Sequence, residues 1–232
     1  MIKDNIKILY TQIKNNYHYF AFVLFILLGI IGIINHEMWR DELQAWLIAK
    51  NSGSLINLFQ NFRYEGHPGL WFMILYYISR FTHNPVSMQF AHLLIASAAV
   101  FLFLKYSPFS KLQKLLFIFG YFPFYEYSII SRNYSLGMLF IFLFCTLYCT
   151  KKNFLLLAGV IFLLAQTNIF GLIIAIALSI FLLPIIIISL LLKFKENHSI
   201  IFKQDRIGFK KLQAAYIASE INMKKRQYLI YR

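Results

Sequence analysis

The chain has 232 residues, of which 59% are hydrophobic, 19% aromatic and only 14% charged, a balance that excludes an ordinary soluble domain and places it in the membrane class. Its formal charge of +14 does not read as a nucleic-acid footprint. The whole excess sits in residues 1–18, in Lys105, Lys111 and Lys114, in Lys151 and Lys152, and in the stretch from Lys193 onward, while residues 36–87 hold four bases against four acids.

In chain order, a basic start (Lys3, Lys7, Lys14) leads into a first apolar run over about 19–35. No small-residue cleavage site follows it, so it reads as a retained anchor. Continuous Phe, Ile, Leu and Val runs recur at about 86–104, 115–130, 134–150, 154–169 and 171–192. Alternating strands of about ten residues, the mark of a membrane β-barrel, are absent. The expectation is an all-α polytopic protein with six spans. Cys145 and Cys149, one turn apart in an apolar run, act as small hydrophobes and supply no disulfide framework.

The segment LWFMILYYI, residues 70–78, is too short to be a seventh span: nine helical residues cover about 14 Å against a hydrocarbon core of about 30 Å. Crossing there would also put every later basic loop outside, against the positive-inside bias. It is expected to lie along the interface with Trp71, Tyr76 and Tyr77 at headgroup depth. Amino terminus and tail then fall on the cytoplasmic side of the cell membrane. Residues 36–87, the link Ser131–Ser135 and the break Gln166–Gly171 share the outer face. The two-part division is a transmembrane module, 1–192, and a basic cytoplasmic tail, 193–232, suited to an anionic leaflet.

The polar residues of the outer face invite two explanations. Asp41 with Gln44 three positions on is a variant capping box opening the helix DELQAWLIAK. In RYEGHPGLWF, Gly66 and Pro68 serve a turn and a first helical turn, which leaves His67 unexplained at an end that favours anions. Glu126 and Arg132 flank the exit of the third span, where ionisable residues are either functional or a structural pair.

Taken together, the Asp41-Glu42 pair after the first span, the Gly66-His67-Pro68-Gly69 string, EYSIISRNYSLGMLF (126–140) and AQTNIFGLIIAI (165–176) resemble the polyprenyl-phosphate-sugar-dependent glycosyltransferases of the C superfamily. The similarity covers about residues 19–192 and is to the branch of protein O-mannosyltransferases and lipid A aminoarabinose transferases. It implies transfer of a sugar from a lipid-linked donor to an acceptor hydroxyl on the outer face, with inversion. Asp41 would be the base, with Glu42 beside it in the catalytic pair. Arg132 and Arg40 would meet the departing phosphate, and His67 would assist it or hold a metal-bound water. Glu65 and Glu126 would orient these groups or, with Glu42, ligate a divalent cation, and Tyr134 would complete the substrate site. No metal or other cofactor is expected to be required. The expected partners are the donor, an acceptor of open identity and membrane lipid, and not nucleic acid.

Two departures accompany the resemblance. His67-Pro68-Gly69 stands where such enzymes usually have His-Pro-Pro, and they are roughly twice as long, which implies a truncated member. The alternatives are an inactive remnant of such an enzyme, or a small transporter in which His92 is the ionisable group nearest a span's middle.

Overall fold

The computed structural model describes residues 16–150 and 153–198. These are helical, with no strand among the described residues: α1 (Tyr17–Ile34), α2 (Arg40–Asn51), α3 (Leu55–Asn61), α4 (Leu70–Phe81), α5 (Val86–Tyr106), α6 (Lys111–Ile118), a π-helical turn (Tyr121–Glu126), α7 (Tyr134–Thr150), α8 (Phe154–Ala165) and α9 (Ile169–His198). Two compact units divide the chain after Phe181. The first contains everything up to that residue. The second takes in the remainder of α9, with Pro184 inside the helix. Most of the expected tail, along with Lys151 and Lys152, lies outside the described residues.

Among the described residues, two helices are long and apolar enough to cross a bilayer, α1 with 18 residues and α5 with 21. Their lengths, about 27 and 31 Å, match a hydrocarbon core of about 30 Å. α1 is packed along a single stripe, Ala21, Phe25, Gly29 and Ile33, spaced by four residues. Its other side leaves Leu27, Ile31 and Ile34 exposed, as a lipid-facing helix would. The stripe meets α5, and a Cβ at Gly29 would stand 2.6 Å from Leu93 Cδ1.

The stretch expected as a third span, 115–130, is not one straight helix. α6 ends at Ile118, Gly120 adopts an extended conformation, and the chain resumes as a π-helical turn that includes Pro123, which has no N–H to give. The expected break after α8 is present: Gln166 and Thr167 donate their backbone N–H groups to Leu163 and Leu164, and the Asn168 side chain accepts the N–H of Gly171 at 2.8 Å.

Between α1 and α5, the segment 36–85 folds as a small helical cap. α2 packs on α4 around Trp46, Leu58 and Leu75, and Met88 of α5 and Leu136 of α7 close this core. Arg80, in the last turn of α4, donates to the Lys50 carbonyl at 2.7 Å and satisfies the end of α2. α4 covers the expected segment 70–78, but it turns Trp71 inward. Trp71 is 3% exposed and lies against the His92 ring, so of the three aromatics expected at headgroup depth only Tyr77 is open. The cause is the hydrophobic face of α4, which finds α2 and α5 as partners before it finds lipid.

Candidate functional site

The start of α2 differs from the expected capping box. Trp39 is the residue before the helix, and it is Glu42, not Gln44, that reaches back, accepting the Trp39 N–H at 2.7 Å. Asp41 is therefore already helical. Consecutive helical residues are turned by about 100°, so Asp41 and Glu42 face different surroundings. Asp41 points out, with its side chain 60% exposed, and Glu42 points in, completely buried.

The Glu42 carboxylate is fully engaged. One oxygen accepts from Trp39 N–H and contacts His36 Nε2 at 2.9 Å; the other accepts the backbone N–H of Ser131 at 2.6 Å. Ser131 lies in a tight turn in which the Arg132 N–H donates to the Ile130 carbonyl at 2.9 Å. The residues next to this buried clasp, Asp41 and Arg132, meet above it: Arg132 Nη2 is 3.5 Å from Asp41 Oδ2. The Arg132 guanidinium also stands over the Tyr134 ring, 5.3 Å from its centroid.

The Gly-His-Pro-Gly string is displaced from its expected place. Gly66 takes φ +70°, a conformation that favours glycine, and α4 begins only at Leu70, after Gly69. His67 and Pro68 are thus in the loop ahead of the helix. His67 is half-buried, and its Nδ1 is enclosed with no protein partner. Burial first, and then the Arg132 charge, lower its pKa from the ordinary 6.5, with Glu65 opposing. Glu65 is held by Gln44, whose amide donates to it at 2.8 Å. One rim thus brings together Asp41, Arg132, His67 and Glu65.

Beside Tyr134 opens a largely apolar cavity of about 690 Å³ between the π-helical turn, α7 and the start of α9. Phe117, Ile141 and Ile174 line its depth, while Tyr121, Glu126 and Asn168 add polar groups. Glu126 accepts from Tyr121 at 3.5 Å. It forms no ion pair with Arg132, so the structural pairing open from the sequence is not the one made; Asp41 takes that place. Arg40 lines a second, open groove with Leu43, Leu47 and Asn61 and makes no ion pair with the acids of the rim.

Six buried polar side-chain atoms without a protein partner belong to the segments around this rim: Trp46 Nε1, His67 Nδ1, Trp71 Nε1, His92 Nε2, Ser131 Oγ and Ser135 Oγ. Only one other such atom, Ser107 Oγ, occurs among the described residues. Unpaired buried polar atoms are uncommon in folded proteins. None of His92, Ser131, Ser135 and Trp46 was singled out for the site by the sequence. His92 is fully enclosed, with Nδ1 3.3 Å from the Ser128 carbonyl. No three His, Cys, Asp or Glu side chains converge as metal ligands among the described residues.

Comparisons with protein families, with characterised proteins and with solved structures found no match to this chain.

Proposed function

We propose that the chain is a multi-pass membrane glycosyltransferase that moves a sugar from a polyprenyl-phosphate donor to an acceptor hydroxyl on the extracytoplasmic face. In this reading the six apolar runs span, the amino terminus is cytoplasmic, and the cap 36–85 covers the outer end of the bundle. The observation that carries the reading is the contact between an open carboxylate, Asp41, and a guanidinium, Arg132, that leans on the wall of an apolar cavity. An amphiphile with an anionic head and a long apolar tail fits that juxtaposition.

The division of labour follows from the chemistry. The acceptor oxygen attacks the anomeric carbon, its proton passes to Asp41, and the carbon–oxygen bond to phosphate breaks with the electron pair leaving on the lipid phosphate. A positioned base contributes about 10²–10⁴-fold to such a step. The departing phosphate dianion needs a planar cation, which Arg132 offers. His67, whose pKa burial and the Arg132 charge lower, is suited to offer the phosphate a hydrogen bond more than a full charge. The apolar cavity below Tyr134 takes the first isoprene units.

Asp41→Asn tests this. Exposed ion pairs contribute about 0–1 kcal/mol, so membrane insertion and thermal stability should stay within that margin. Transfer from a lipid-linked sugar in a membrane assay should fall by about 10²-fold or more. Transfer by the wild-type chain with undiminished turnover in the variant removes Asp41 as the base.

A further inference from the structure

The acidic pair carries two roles rather than one. We propose that Glu42 is a positioning residue whose buried carboxylate clasps the Ser131 backbone and thereby holds Arg132 against Asp41. The use of this arrangement in transfer rests on the function proposed above; the clasp itself does not.

The geometry leaves Glu42 little else to do. Both oxygens are occupied, the side chain is completely buried, and its three partners come from the residues before α2 and from a turn 89 residues away. The two functional groups are each one residue along from the two ends of one bond: Asp41 precedes Glu42, and Arg132 follows Ser131. A rotation of α2 or a slip of the 130–132 turn would break the 2.6 Å bond and separate the guanidinium from the carboxylate in the same movement. Three contacts on two carboxylate oxygens, one of them to a turn 89 positions away, suit a fastening that must keep the arginine in register. The Asp41–Arg132 contact, at 3.5 Å and half open to solvent, is too weak to hold itself.

The full chain, with Cys145 and Cys149 replaced by serine, carries the test in lipid nanodiscs. Asp41→Cys with Arg132→Cys is treated with a short bifunctional thiol reagent, in the presence of Glu42 and in Glu42→Gln and Glu42→Ala backgrounds. Gly29→Cys with Leu93→Cys, where α1 and α5 touch, reports whether the helices remain packed. Cross-linking of the 41/132 pair should fall by about tenfold or more in Glu42→Ala while the 29/93 pair is unchanged. Glu42→Gln should be intermediate, since its amide oxygen can still accept from Ser131 but its nitrogen cannot accept from Trp39. Equal 41/132 cross-linking in all three backgrounds overturns the proposal, as does loss of both pairs together in both variants, which would make Glu42 a general fold residue. A parallel transfer assay on single Glu42 variants should show a lower kcat with an unchanged KM for acceptor. A wild-type chain without transfer activity would refute the functional reading and leave the cross-linking result to decide the clasp.

Discussion

Gly32→Ala offers a test of packing that needs no substrate. A Cβ at Gly32 would lie 2.5 Å from Ile129 Cδ1 and 2.9 Å from Ile129 Cγ1, both far inside van der Waals contact. Ile129 is 5% exposed and belongs to the core shared with α1 and α5, so its side chain has little room to turn away. Overpacking of this kind costs about 1–3 kcal/mol. Ile129→Ala alone, which opens a cavity, costs about 2–5 kcal/mol. Together the two changes should relieve each other, because the added methyl enters the space the isoleucine leaves. The double variant should be at least about 1 kcal/mol more stable than the sum of the singles, a coupling expected only for groups in contact. Unfolding in mixed micelles titrated with a denaturing detergent measures all four corners of the cycle. Strict additivity, or a harmless Gly32→Ala, would refute the close approach of α1 to the 128–132 segment that underlies the site.

Two further outcomes are expected. Gly171→Ala should be more damaging than an ordinary glycine-to-alanine change, since its Cβ would stand 2.6 Å from the Leu164 carbonyl, a backbone atom that cannot swing aside, and the loss should exceed about 1 kcal/mol in the same titration. For His67, the folded pKa is lowered, so the unfolded chain takes up a proton first as pH falls; stability is fully present above the ordinary value of 6.5 and declines below it. His67→Asn should flatten that acid limb in a pH series of unfolding midpoints, and an unchanged limb would show that the fold does not lower the His67 pKa.

Much of the helical layout could be read from the sequence because burial in lipid or protein leaves long apolar runs whatever the tertiary partners. α1, α5 and the turn at 166–168 fall where composition placed them. α6 and the π-helical turn were hidden because Gly120 and Pro123 sit within a run of Phe and Tyr whose hydropathy does not register a change of backbone geometry. The local pattern also misassigned the start of α2. A capping rule looks three residues ahead, and it favoured Asp41 with Gln44 over Trp39 with Glu42, since tryptophan contributes no side-chain oxygen. The inward turn of Glu42 was illegible for a different reason: its decisive partner is a backbone N–H, which every residue but proline carries, and the bond spans 89 positions. Asp41, His67, Glu65 and Arg132 are site candidates through the resemblance, and the structure brings them to one rim. Arg40 instead lines a second groove, and Glu126 the apolar cavity beside Tyr134.

The bond between residues 42 and 131 has a consequence for biosynthesis. When α2 emerges from the ribosome, the carboxylate that it must enclose has only half of its bonding available, and the other half is not translated until α5 and α6 have passed. Closing so long a loop is entropically slow, and contacts of this range form late. The cap formed by residues 36–85 should therefore remain loose and accessible to protease on arrested nascent chains that stop short of Ser131, and become resistant on chains long enough to have delivered that turn.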